Sequence, residues 1–263
     1  MWKRIVDRHG HEVQSGYEPF AKALRGPHQV TTKVEMLDED LNPVEDGDLY
    51  SADVGNELTN FITDGNVDVD VSRGARRTAE LTLLNPTAEF TPATQDFSSE
   101  GDWVGKMYLD RNVRIYRGLY LEGKPLYVPV GTFMIDNIDV QVEQNMSQVI
   151  ISMSDRWKMI QKSFFAKDKI YKKGDLINDV FTDMMGDAGI HSNHRSLDGL
   201  GDRDLADRKV MRNYKVDSGE SRGDILKKLA KKWNIDIYFD PMGILRTRDR
   251  VRTREAGPQW RYY

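Results

Sequence analysis

The chain contains no cysteine. That excludes disulfides, thiolate metal sites and thiol nucleophiles together, and it fits synthesis in a reducing cytosol. Long apolar runs are missing too. No stretch approaches the ~20 residues a membrane helix needs, and the opening MWKRIVDRHGHEVQ lacks the apolar core of a signal peptide. No membrane insertion by this segment is expected.

Enzyme signatures are equally scarce. Neither Gly105–Lys106, followed by Met107, nor Gly123–Lys124, followed by Pro125, has the Ser/Thr that a phosphate loop needs next, and HExxH and GxGxxG do not occur. There are five histidines. His191 and His194 in HSNH lie near Asp198, Asp202, Asp204 and Asp207, but the spacing fits neither a zincin helix nor an EF-hand loop, so a solvated loop is the reading. His9 and His11 have no partner that spacing identifies. Asp68 and Asp70 fall on the solvent side of a predicted strand. No catalytic residue, metal ligand or cofactor is assigned, and the chain is not expected to be an enzyme.

What the chain does have is an ordinary globular composition, 39% hydrophobic and 30% charged over 263 residues, enough for one large or two smaller domains. The net charge of −4 hides an asymmetry: from Arg208 onward there are 15 basic and 7 acidic residues. An acidic front and a basic end fit either a contact of one part with the other, within or between copies, or two solvated surfaces of differing sign.

Residues 1–28 carry no sustained period and read as an arm. From Gln29 the period is two. Val30, Thr32, Val34 and Met36 share one face, with Lys33 and Glu35 opposite. In GNVDVDVS, Val67, Val69 and Val71 alternate with Asp68 and Asp70, and RRTAELTLLNP repeats the pattern with Leu81 and Leu83. SRGAR joins the pair. After the long loop NPTAEFTPATQDFSSEGDW come NVRIYRGLYL and PLYVPVGTFMIDNIDVQV. In the latter, Phe133 and Ile135 are out of phase with Ile138, Val140 and Val142, which a bulge near Asn137 reconciles. SQVIISMSD returns with Val149, Ile151 and Met153 inward. Six or so antiparallel strands in the first 155 residues predict a small barrel or sandwich.

Helical spacing follows. Trp157, Ile160 and Phe164 form one stripe, and Leu176, Ile177, Val180, Phe181 and Met184 a second, closed by Gly186 or Gly189. Ile225, Leu226, Leu229, Ala230 and Trp233 form a third with the same offsets, with Ser221 as N-cap and Asp224 favourable in the first turn. The second and third stripes resemble each other, but their polar positions differ in sign, Asp179 and Asp183 against Lys228 and Lys232, and a shared helical period accounts for the likeness. HSNHRSLDGLGDRDLADRK between them reads as a mobile loop. NIDIYFD then turns Ile235, Ile237 and Phe239 inward, and DPMG supplies a type I turn.

The returning strand LRTRDRVRTRE places Arg246, Arg248, Arg250, Arg252 and Arg254 on one face. No aromatic side chain alternates with them, as a strand-stacking nucleic-acid surface would require. Arginine is enriched at protein interfaces, and charge on an exposed strand deters edge pairing. The row is the candidate subunit-interface site.

Three ordered stretches, ALRGPHQVTTKVEMLDEDLN running into ITDGNVDVDVSRGARRTAELTLLNP, VRIYRGLYLEGKPLYVPVGTFMIDNIDVQVEQNMSQVIISMSDRWKMIQKSFF, and DSGESRGDILKKLAKKWNIDIYFDPMGILRTR, together resemble the minor tail proteins of long-tailed actinobacterial phages, of the baseplate-hub or tail-associated class. The resemblance covers nearly all of residues 23–250. It implies an α+β, mainly β fold of tube-like antiparallel β-barrel domains with α/β insertions. The expected parts are the arm at 1–28, a first barrel at 29–155, a helical and loop insertion at 156–215, and an α-β-β unit of a second hub domain at 216–263, whose end QWRYY offers no clear closing element. The resemblance further implies a structural virion protein at the tail tip, made in the host cytoplasm. It would form a trimeric homo-oligomer beside the distal tail protein or tail tube, the tape measure protein and tip or fibre proteins, with DNA only in transit. A tail-associated cell-wall hydrolase subunit is the alternative.

Overall fold

A computed structural model of the chain describes residues 29–51, 61–70, 77–85, 90, 107–121, 124–143, 146–197 and 208–249. The predicted arm, the SRGAR connection, most of the 86–106 loop and the 198–207 loop lie outside them. The chain divides into two compact units, Met1–Arg156 with Pro241–Gly243, and Trp157–Asp240 with Ile244–Tyr263.

The first unit is one antiparallel sheet. Its strands are β1 (Val30–Leu37), β2 (Pro43–Ser51), β3 (Ile62–Val69), β4 (Arg77–Leu84), β5 (Asn112–Leu121), β6 (Lys124–Glu143) and β7 (Met146–Asp155), in the order β2-β1-β5-β6-β7-β4-β3. Alternation puts Val34, Ile115, Phe133, Ile135, Leu81, Leu83, Ile151 and Met153 on one face, where they form a single buried cluster. Val44 of one edge strand and Ile62 and Val67 of the other pack on that same cluster, so the sheet curls around it in a barrel-like manner. Burying each such side chain stabilises by about 1.5–3 kcal/mol. The ladder shifts register between Ile135 and Asn137, at the expected bulge.

The structure departs from the sequence reading at three places in this unit. Lys33 and Glu35, expected in solvent, are both buried and ion-paired with each other; this strand is covered on both faces, which period two alone does not reveal. Val69 and Val142 are exposed at 54% and 77%, because each lies near a strand end, past the core. β2 carried no strand signal: its PVEDGDLYS has little apolar content, and it forms by backbone pairing to β1 as an edge strand.

The second unit contains α1 (Trp157–Gln161), β8 (Lys169–Tyr171), α2 (Ile177–Asp187), β9 (Arg195–Ser196), β10 (Tyr214–Val216), α3 (Arg222–Lys232), β11 (Ile235–Phe239) and β12 (Leu245–Asp249). β11 pairs antiparallel with β12, and β9 joins β12 in parallel. Ile235, Ile237 and Phe239 are buried as expected, but Phe164 is 56% exposed: α1 stops at Gln161, so Phe164 never shares its stripe. Ser221 occupies the N-cap position of α3 without a side-chain cap bond; its hydroxyl donates instead to Gln161 O at 2.8 Å.

This unit is an internal duplication, contrary to the reading of shared helical period. After β8 come Gly174 at φ 98°, the N-cap Leu176, α2, the C-cap Ala188, Gly189 at φ 81° and the buried Ile190. After β10, at one constant spacing, come Gly219 at φ 84°, the N-cap Ser221, α3, the C-cap Trp233, Asn234 at φ 56° and the buried Ile235. The caps match in dihedrals, φ −72°, ψ 135° against −70°, 131° at the starts and −89°, 6° against −96°, 7° at the ends. The hydrogen bonds repeat as well. Gly174 N–H donates to Val210 O (2.9 Å) and Gly219 N–H to Phe165 O (2.8 Å); Ile177 N–H donates to Arg208 O (2.9 Å) and Arg222 N–H to Ser163 O (2.8 Å). Each half thus secures the helix start of the other, about a pseudo-twofold axis through the Ile170–Lys215 pair of β8 and β10.

Candidate functional site

The arginine row is described over its first two members. Arg246 and Arg248 both lie on β12, opposite Tyr238 and Asp236. Leu245 and Thr247, in the alternate phase, are buried, and the Thr247 hydroxyl donates to Leu197 O at 3.2 Å. Arg246 Nε donates to Asp240 Oδ2 at 3.0 Å, so the first arginine of the row is engaged by its own hairpin. Asp240 uses its other oxygen to accept the Ile244 N–H at 3.0 Å. Arg250, Arg252 and Arg254 lie outside the described residues.

A buried polar layer in the first unit was not anticipated. Glu35, Arg114 and Thr132 sit side by side on β1, β5 and β6, with Lys33 opposite Tyr116. Arg114 donates to Thr132 Oγ1 (3.1 Å), Leu41 O (3.2 Å) and Met242 O (3.2 Å); Thr132 donates to Pro241 O (3.0 Å); Arg156 donates to Gly243 O (2.9 Å). Three consecutive carbonyls of the DPMG turn are therefore satisfied by side chains. Gly243 has φ 80°, and a Cβ there would meet Thr132 Cβ at 3.0 Å, so glycine is required on two counts. Burial pushes the Tyr116 hydroxyl up to about 12, against the lowering effect of Arg114. Burial, reinforced by the Arg114 charge, brings Arg156 down to about 10. Both groups hold their ordinary neutral-pH forms. The layer is a clamp, with no carboxylate pair or nucleophile–base arrangement within it.

In the second unit Asp183 accepts from Tyr171 at 2.7 Å and is ion-paired with Lys169, and Asp187 pairs with Arg222 at 3.1 Å. Burial and Asp183 push the Tyr171 hydroxyl far upward. His194 is buried with its ring 6.2 Å from that of His191. No group of three metal-ligating residues occurs among the described residues, and no helix among them is long and apolar enough to cross a membrane.

Two charged faces occur among the described residues. On the outward face of β3 and β4, Asp64, Asp68 and Glu80 are exposed, in register through the pairs Asp64–Thr82, Asn66–Glu80 and Asp68–Thr78. On α3, Lys228, Lys231 and Lys232 are exposed beside Lys227.

No protein-family model matches the chain, and no curated protein matches it. Solved structures do. The 43 kDa tail protein of prophage MuSo2 from Shewanella oneidensis superposes with a TM-score of 0.50 at 11% identity, over 83% of this chain and 53% of that one. A tail protein from Neisseria meningitidis gives 0.47 at 11% identity, over 83% and 50%, and a chain of the Francisella PdpA–VgrG complex 0.48 at 11%, over 87% and 32%. The chain spans about half the length of the two tail proteins. The likeness to the Shewanella protein defines the fold: mainly β, antiparallel, of the phage-tail type.

Proposed function

We propose that the chain is a structural virion protein of the tail tip, a hub that links the tail tube to tip or fibre proteins and forms part of the channel through which DNA leaves. One observation carries this reading: the fold likeness to a phage tail protein over 83% of the chain. The ordered sequence resemblance to actinobacterial minor tail proteins points the same way. In this reading residues 29–155 supply a tube-like barrel, and 156–215 and 216–263 the inserted and second hub elements. The Arg246 to Arg254 row lies at a contact between subunits, and the partners are the distal tail protein or tube, the tape measure protein and tip or fibre proteins. DNA in transit needs a wall without bound cations, since arginines facing phosphates would retard it. Arg246, engaged by Asp240, fits a row turned to protein. A rigid barrel suits the task, and the clamp of Arg114, Thr132 and Arg156 supplies rigidity.

Sedimentation equilibrium tests the reading. A trimer of the 30.3 kDa chain is expected; a monomer at every concentration contradicts it. A zymogram on host peptidoglycan completes the test: no clearing is expected, and clearing by the isolated chain would replace the hub with a cell-wall hydrolase.

A further inference from the structure

The duplicated second unit carries its own control. Thr182, Asp183, Gly186 and Asp187 of α2 stand at the same places as Lys227, Lys228, Lys231 and Lys232 of α3, because the caps and the buried residues of the two helices align. Val180, Phe181, Met184 and Met185 answer Ile225, Leu226, Leu229 and Ala230 one for one, and all are buried. The backbone setting that accepts a threonine, two aspartates and a glycine in one half therefore does not demand lysine in the other. Helix propensity does not demand it either, since glutamate or glutamine serves as well. Four lysines at these spacings form two like-charge i,i+4 pairs, Lys227–Lys231 and Lys228–Lys232, and each such pair opposes the helix. Among the described residues, Glu220 is the acidic side chain paired with this cluster. Lys228 lies 3.5 Å from Glu220 with its side chain 61% exposed, while Lys227 and Lys232 lie over the rings of Trp157 and Tyr214.

We propose that this lysine face of α3 docks on a second copy of the chain, against the outward acidic face of its β3 and β4 carrying Asp64, Asp68 and Glu80. The inference deepens the hub reading and rests on its self-association. Charge complementarity selects the occupant. The described residues of the acidic patch include three exposed carboxylates, and the in-register neighbours Asn66, Thr78 and Thr82 add no cation. The two faces lie at different places on the chain, so the contact is head-to-tail, the kind that forms a ring when its rotation closes. Such a contact weakens with salt and favours encounter between oppositely charged faces.

The test mixes unlabelled and ¹⁵N-labelled full-length chain and couples carboxylates to amines with a zero-length carbodiimide. Peptides joining Lys227, Lys228, Lys231 or Lys232 to Asp64, Asp68 or Glu80 are expected in mixed-label pairs. The doubly reversed K228E/K232E chain should self-associate about tenfold or more weakly, and adding D68K/E80K to the same chain should restore association. An oligomer whose cross-links avoid these residues, or whose affinity ignores K228E/K232E, overturns the interface while leaving the hub reading intact. A monomer at every concentration removes both. Salt-sensitive retention of a short DNA duplex by the wild-type chain, lost in K228E/K232E, without mixed-label cross-links, would assign the lysines to nucleic acid and overturn the proposal. Circular dichroism of each variant confirms that the helix is retained.

Discussion

Asp168 and Asn213 occupy equivalent positions in the two halves of the second unit, and each accepts a backbone N–H from the opposite half. Ser218 N–H donates to Asp168 Oδ1 at 2.9 Å, and Lys173 N–H to Asn213 Oδ1 at 2.8 Å. One half performs with a carboxylate what the other performs with a neutral amide.

That pair yields a pH prediction. The Ser218 N–H, followed by Lys215, holds the Asp168 carboxyl below its ordinary value. With the folded value below the unfolded one, the contribution is present above the unfolded value near 4 and is lost as pH falls through the folded one. Asp168→Asn should keep the hydrogen bond, as Asn213 does, and flatten the acid limb. Hydrogen exchange at Ser218 between pH 2 and 6 should report protection that declines with acid in the wild-type chain and holds steady in D168N; parallel declines would contradict the assignment.

The glycines of the repeat separate backbone strain from crowding. Gly174 and Gly219 have φ 98° and 84° with nothing within 4 Å of an added Cβ. Alanine at either should cost about 1–2 kcal/mol from the left-handed backbone alone, and by similar amounts at the two sites. At Gly223 the added Cβ would meet Gln161 Cα at 2.9 Å. Gly223→Ala should therefore cost about 1–3 kcal/mol through overpacking, with no left-handed strain involved. Urea titrations of the three variants test the pattern, and unequal losses at the two equivalent glycines would argue against the duplication.

The clamp predicts a chemistry-specific loss. Arg114→Met keeps much of the volume but strands the Leu41 and Met242 carbonyls, and should destabilise the first unit by about 1–3 kcal/mol. Arg114→Lys should not restore it, because one ammonium cannot reproduce a planar fork reaching three acceptors. Full stability of R114K would show that charge alone suffices.

Alkali should act through Tyr116. Its folded value of about 12 lies above its ordinary value of 10.0. The contribution is thus present below about pH 10 and is lost as pH rises toward 12. Arg156, held down to about 10, acts with the opposite sign in that window. Tyr116→Phe removes the first effect only, so Y116F should lose less stability than wild type between pH 10 and 12 in urea titrations. An unchanged difference across that range would reject it.

Much of the β architecture was legible because alternation of Val, Leu, Ile and Phe marks a one-sided core, and the phase break at Asn137 marked the bulge. β2 was not, since an edge strand held by backbone pairing needs no apolar pattern. Nor was the polar layer: Lys33, Glu35 and Arg114 look like surface residues until the Pro241–Gly243 carbonyls are placed against Arg114. The likeness of the two helices was legible only one turn out of register, where it reads as shared helical period and not as a duplication. An apolar stripe matches itself after one helical turn, so Ile225 was set against Leu176 when its true counterpart is Val180. The glycines at 174 and 219 fix the register, because a left-handed residue has one place in the motif. Of the candidate arginine row, the strand was readable over Leu245–Asp249, the described part, whereas the pairing of Arg246 with Asp240 depends on how the turn folds back.

The central claim, a structural place at the tail tip, is tested most directly by immunogold electron microscopy of phage particles released from cells that carry the gene, using antibody against this chain. Gold at the end of the tail distal to the capsid, with three copies per particle by quantitative mass spectrometry, is the predicted result. Particles that are unlabelled, or labelled on the capsid or along the whole tube, would contradict it.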